Sequence, residues 1–200
     1  MIQFHYPAGA TPLTPDETEG LIPRHISRQA QLNEWEQANI LHGMRWAFRQ
    51  RKLEILSEDF LRELHRKMFG ETWEWAGTFR QSDKNIGVDW RYIPVRLRTL
   101  LDDVRTQMEF ESYPANEIAV RFHHRLVQIH LFPNGNGRHA RLAADFLNRK
   151  LAGPPLSWAS NDLTAADENR RRYIAALRAA DARDYRELLE FCNGKPRPLG

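Results

Sequence analysis

The stretch His130-Leu131-Phe132-Pro133-Asn134-Gly135-Asn136-Gly137-Arg138-His139-Ala140-Arg141 decides how this chain is read. It sets a histidine, a glycine-framed turn and two arginines between two helical patterns. Upstream, Pro114 opens a helix carrying Ile118, Phe122, Leu126 and Ile129; downstream, Leu142, Phe146, Leu147 and Leu151 recur at helical spacing. Glycines at 135 and 137 allow positive φ and close approach of a ligand, and the following helix begins with unpaired N–H groups at the positive end of its dipole. Such a turn suits an anion, with phosphate the natural guest. Arg138 and Arg141 lie three apart, hence on one face of the new helix and both in its first turn, where a cation is disfavoured unless a bound anion compensates. His130 ends the preceding helix and faces the loop, placed to act as a general base.

Outward from the loop the chain reads as helical. Leu32, Trp35, Ile40, Met44 and Phe48 mark a helix from about 29 to 50, Ser57 caps one ending at Gly70, and Pro94 opens one with Leu97, Leu100, Leu101, Val104 and Met108 facing inward. Thr164 is read as the N-cap of a helix carrying Tyr173, Ile174 and Leu177, and Asp184 as the cap of a short last helix. Residues 77–93, GTFRQSDKNIGVDWRYI, have no helical period and read as a β-hairpin or extended flap. Residues 1–28, with Pro7, Pro12, Pro15 and Pro23, form an extended arm, residues 29–193 the domain, and residues 194–200 a tail. The fold class is therefore an all-α bundle with a short hairpin flap.

At 200 residues, with 42% apolar and 28% charged side chains, the chain can build a core without metal or disulfides. The lone Cys192 excludes an internal disulfide and fits a reducing compartment. Residues 1–20 carry neither a basic start nor an apolar stretch, and no run approaches the roughly 20 residues a membrane helix needs. These features predict a cytoplasmic protein with no membrane partner. A net charge of +3 names no partner. His123, His124, His130 and His139 lack zinc-ligand spacing, and one of the first two is expected in a polar contact and the other at the surface. Trp73 and Trp75 read as packing above the flap, and Arg170-Arg171-Arg172 as a solvated helix face with no direct nucleic-acid contact.

The combination of His130, Phe132, Gly135-Asn136-Gly137-Arg138 and Arg141 resembles the signature of the Fic (filamentation induced by cAMP) domain family. The stretch from Gly77-Thr78-Phe79-Arg80 to Tyr92-Ile93-Pro94 is similar to that family's target flap, and Tyr173 to Phe191 to its closing helices. The resemblance covers roughly residues 30–193. Within the family, Leu21–Ile40 together with the loop is similar to mobile mystery protein B, found in bacterial mobile elements beside a helix-turn-helix partner.

The resemblance implies a transferase, a protein adenylyltransferase (AMPylase) that moves AMP from ATP, with Mg2+, to a Ser, Thr or Tyr hydroxyl of a target protein. His130 would take the hydroxyl proton and Phe132 would anchor the loop. Gly135, Asn136 and Gly137 would surround the α- and β-phosphates, with a donor from the Asn136 side chain, and Arg138 and Arg141 would hold the outer ones. Thr78, Phe79, Arg80 and Ile86 would belong to the target flap. Asn134 stands where active members carry a metal-binding acid, so metal affinity should fall. The resemblance therefore implies weak adenylylation, transfer of another phosphate-containing group by a phosphotransferase-like reaction, or a nucleotide-binding toxin–antitoxin interaction without turnover.

Family members are often silenced by a glutamate that blocks the γ-phosphate. Thr164-Ala165-Ala166-Asp167-Glu168-Asn169 fits the letters of that pattern, although capping explains Thr164 equally well. Glu19, Glu34 and Glu36 are the other candidates, and an inhibitor or antitoxin supplied by a separate chain is a further possibility.

Overall fold

The computed structural model describes residues 11–49, 54–158 and 168–194. Its helices are α1 (Pro15–Glu19), α2 (Gln29–Arg49), α3 (Glu58–Phe69), α4 (Ile93–Glu109), α5 (Ala115–Ile129), α6 (Asn136–Lys150), α7 (Glu168–Asp181) and α8 (Arg186–Asn193). Local sequence chemistry places their ends. Ser57 Oγ accepts the Phe60 N–H at 3.1 Å, with Glu58 and Asp59 in the first turn. Pro114 precedes α5 as its N-cap residue rather than sitting inside its first turn. The Thr164 cap lies outside the described residues.

The main core is filled by Leu61, Leu64, Met68, Leu97, Leu100, Val104, Phe122 and Leu126, all but sealed from solvent. Each such side chain is worth roughly 1.5–3 kcal/mol on burial. A second cluster, built on Ala119 and Val120 of α5, Ala144 of α6 and Tyr173, Ala176, Leu188 and Phe191, docks α7 and α8 onto the back of the loop helices. Both His123 and His124 are buried there, which corrects the expectation that one is at the surface. His123 Nε2 meets the Tyr173 hydroxyl at 2.9 Å, and His124 bridges the Tyr185 hydroxyl and Asp181. Trp73 is buried, stacked on Trp75 at 5.1 Å, and Arg171 and Arg172 are exposed.

The flap is not a hairpin. Among the described residues no strand forms, and Leu21–Trp73 is an isolated antiparallel bridge. The reason lies in where the flap backbone finds its partners. Arg80 N–H donates to the Leu131 carbonyl at 3.0 Å and Val88 N–H to that of Ile129 at 3.4 Å, while the Arg80 guanidinium takes the Ser82 and Val88 carbonyls. With its polar groups bound to the end of α5 and to one buried arginine, residues 78–89 have no need of a cross-strand ladder. Nor is the arm simply extended. Residues 15–19 form α1, closed by a capping box in which Thr14 and Glu17 satisfy each other's backbone, and Leu21 and Ile26 are buried against the domain.

Candidate active site

His130 closes α5 in the left-handed region, at φ 60° and ψ 68°. A non-glycine residue there costs roughly 1–2 kcal/mol, and the surroundings hold it in place. Its N–H donates to the Leu126 carbonyl at 3.0 Å, and its own carbonyl accepts from Arg80 Nε at 2.6 Å. Arg80, read from sequence as a target-flap residue, is instead sealed inside the protein. It gives its remaining donors to the carbonyls of Ser82, Val88 and Ile129. It therefore joins the flap to the histidine. Gly87, at φ 108°, lets the flap cross this point, since a Cβ there would lie 2.7 Å from both Arg80 Nη2 and His130 Cβ. Of the other flap residues, Thr78 and Ile86 are exposed and Phe79 packs 5.8 Å from Phe132.

Burial, and after it the Arg80 guanidinium, push His130 down to about 4. The imidazole is thus neutral near pH 7 and can accept a proton. Its Nε2 lies 3.2 Å from Thr11 Oγ1.

Phe132, expected to anchor the loop, is fully buried and stacked on His65 at 3.7 Å between ring centroids. His65 did not stand out in the sequence, where a histidine on an apolar helix face looks like any core residue. Its Nδ1 accepts the Gly77 N–H at 3.0 Å and its Nε2 reaches the Asn134 carbonyl at 3.1 Å, so one α3 side chain binds both the flap entrance and the loop. Burial, followed by His139, holds it well below the ordinary histidine range. Nearby His139 reaches the Leu61 carbonyl at 2.9 Å and is pushed by burial to about 4.

The turn itself departs from expectation in three ways. Gly135 has φ 77°, where a Cβ would lie 2.7 Å from the Phe69 ring, but Gly137 is inside α6 without positive φ. What Gly137 provides is space, for a Cβ there would meet nothing closer than Tyr173 Oη at 4.0 Å. The Asn136 side chain is not turned to a ligand. Its Oδ1 accepts the Phe132 N–H at 2.9 Å and its Nδ2 donates to the Phe132 carbonyl at 2.7 Å, so it clamps the turn. Third, Arg141 falls in the second turn of α6, not the first.

No side chain caps α6, which leaves its first-turn N–H groups to a ligand. Two arginines flank that end. Arg138 Nη1 binds Glu36 Oε2 at 2.7 Å, with its guanidinium 4.9 Å from the Phe69 ring centre. Glu36, buried on α2, also accepts the Trp73 indole N–H at 2.8 Å. Arg141 lies 5.9 Å from the Tyr173 ring centre and, among the described residues, has no carboxylate within ion-pair distance. Burial lowers its pKa and raises that of Tyr173 to about 12. One cation is thus neutralised in place and the other is available to an anion.

The other three glutamates are elsewhere. Glu34 and Glu19 are exposed, and Glu168 is exposed at the start of α7, paired with Arg171 at 2.8 Å.

As for a metal, the donor chemistry does not fit. Asn134 Oδ1 accepts the Gly135 N–H at 2.6 Å and its Nδ2 donates to the Thr11 carbonyl at 3.2 Å, so the amide is committed within the fold. It is neutral, and among the described residues no group of three His, Cys, Asp or Glu side chains comes together. A magnesium ion would have to arrive on the phosphates of its nucleotide.

A histidine facing a hydroxyl, an uncapped helix start and two arginines set a proton acceptor beside a place where a phosphate-bearing ligand can bind. The family model described as Fic/DOC family matches residues 55–147. The protein adenylyltransferase fic-1 of Caenorhabditis elegans is 28% identical over 143 residues, 69% of this chain and 26% of that protein. Protein adenylyltransferase Fic of Drosophila willistoni is 30% identical over 145 residues, 70% of this chain and 27% of that protein. The chain thus spans about a quarter of the length of these relatives. Among solved structures, BepC of Bartonella tribocorum with bound AMPPNP shares the fold at a TM-score of 0.67 and 15% identity, over 89% of this chain and 96% of that one. Through residues 55–147, with the loop that carries His130, Arg138 and Arg141, this chain belongs to the Fic/DOC family.

Proposed function

We propose that this protein transfers AMP from ATP to a protein hydroxyl, with His130 as the general base. The observation that carries the reading is the neutral His130 imidazole, its Nε2 already 3.2 Å from a threonine hydroxyl and its loop leading directly into the uncapped start of α6. In the tautomer protonated at Nδ1, Nε2 accepts the hydroxyl proton as the oxygen attacks the α-phosphorus, a contribution typically of order 10²–10⁴ in rate. The first-turn N–H groups of α6 balance the charge that builds on the phosphate oxygens. Arg141 meets the outer phosphates, joined by Arg138 once Glu36 releases it. Magnesium enters with ATP as part of the co-substrate, and no step here passes through it. The adenylyltransferase names of the two relatives and the AMPPNP bound to BepC support this nucleotide class.

Glu36 is the internal inhibitor in this reading. Its carboxylate sits on Arg138 as a phosphate oxygen would, so an ATP that uses both arginines must displace it. An inhibitor from another chain is not needed for that contact.

The test is incubation with ATP labelled at the α- or the γ-phosphate. Label from the α-phosphate on protein, raised in Glu36→Gly and lost in His130→Ala, is expected. Label from the γ-phosphate alone would make the protein a phosphotransferase. Absence of label from either position, with ATP still bound by calorimetry, would leave a binding protein.

A further inference from the structure

The hydroxyl in front of His130 belongs to this chain. Thr11 is 119 residues away in sequence, yet its Oγ1 and His130 Nε2 form a buried contact at 3.2 Å. Four further contacts hold the segment in that position. The Thr11 carbonyl accepts from Asn134 Nδ2 at 3.2 Å, and the Pro12 carbonyl from Lys84 Nζ at 3.3 Å. Lys84, almost wholly buried, also pairs with Glu17, which accepts from Ser82 Oγ at 3.4 Å. The arm is therefore tied to both the loop and the flap on either side of the reacting nitrogen.

From this arrangement we propose that Thr11 is an acceptor of the transferred group in cis, a self-modification site. The inference rests on the adenylyl-transfer reading above. The chemistry balances without another reactant. Thr11 Oγ forms a bond to the α-phosphorus of ATP while its proton passes to His130 Nε2. The bond from the α-phosphorus to the β-bridging oxygen breaks, and pyrophosphate leaves with the electron pair. His130 then returns the proton to water.

This role also explains Asn134. Its amide N–H holds the acceptor segment through the Thr11 carbonyl, a bond that a carboxylate could not donate. The residue that departs from the metal-binding pattern is thus the residue that positions the acceptor.

The experiment uses the full chain, as wild type and as Glu36→Gly, incubated with ATP and magnesium and mapped by peptide mass spectrometry. AMP is expected on Thr11, formed at a first-order rate that does not change with protein concentration. Thr11→Ser keeps a hydroxyl and should be labelled at residue 11, whereas Thr11→Val and His130→Ala should lose that label while melting as folded proteins. AMP found on other residues or on an added protein with Thr11 bare overturns the inference and leaves the transferase reading standing. A Thr11 rate that rises in proportion to protein concentration overturns the cis assignment. If no protein takes AMP from ATP in either form, both readings fall.

Discussion

The two sides of the loop are built differently. Beneath it, His65, Phe69, Phe132 and His139 make a floor of buried rings in stacked, tilted and edge-on contact, with Arg80 threaded alongside through four carbonyl bonds. Above it, Thr11, Glu17, Glu36 and Lys84 make a roof attached by a handful of polar contacts from α1, α2 and the arm. A floor of this kind is fixed by folding, because disturbing it forfeits dense packing and leaves carbonyls without donors. A roof held by a few ion pairs and hydrogen bonds can be displaced by a ligand that offers better ones. The floor therefore sets where the loop lies and the roof can exchange its contacts, so perturbations of the two should separate cleanly.

Acid should have the largest effect, and it acts on the floor and the core behind it. His130 and His139 titrate near 4 and His123 near 3, below the roughly 6.5 of an unfolded histidine. The unfolded chain therefore binds more protons between those values. Stability is full above about pH 6.5 and falls as pH drops towards 4, by on the order of 1–2 kcal/mol for each histidine at pH 5. Asp145 works in the opposite direction, since burial raises it to about 6 and its protonation on acidification relieves the fold. Thermal melts from pH 7 to 5 should show a net loss; a flat profile would mean the histidines are not held neutral.

Next in size is Arg80→Lys. An ammonium cannot reproduce the fork that binds four carbonyls, and the substitution should lower stability by about 2–3 kcal/mol in denaturant unfolding. Because the His130 carbonyl is one of those four, activity should fall with it. Gly135→Ala, at φ 77° and against the Phe69 ring, should cost about 1–2 kcal/mol and weaken nucleotide binding. In the roof, Lys84→Met leaves the largely buried Glu17 carboxylate without its cation, and the arm should open locally to water before the fold as a whole is lost, so global stability should change less than in Arg80→Lys. Its signature is local: amide exchange should accelerate at residues 14–20 while α3 and α5 keep their protection. Equal acceleration in both would erase the distinction between roof and floor.

Much of the floor was legible in sequence. The amphipathic spacing of α3 through α6 and the cap at Ser57 are local properties, and the helices stand where those signals put them, whereas in the turn only Gly135 takes the positive φ expected of both glycines. The flap was misread because its partners are distant. Nothing near residue 80 says that its guanidinium will take carbonyls at 129 and 130, and without that knowledge β-rich composition reads as a hairpin. The roof was the least legible part. Glu36 could be named only as one of four candidate glutamates, since its contact with Arg138 spans 102 residues. Thr11 could not be named at all, lying in a segment whose prolines suggested an extended arm.

The most direct test of the floor and roof account is calorimetric titration of ATP and AMP into wild type and Glu36→Gly. If the Glu36 carboxylate occupies a phosphate position on Arg138, the substitution should tighten ATP by about tenfold or more, the equivalent of roughly 1.4 kcal/mol, and leave AMP, which lacks the outer phosphates, nearly unchanged. Equal affinity of both proteins for ATP, or an equal gain for ATP and AMP, would contradict it.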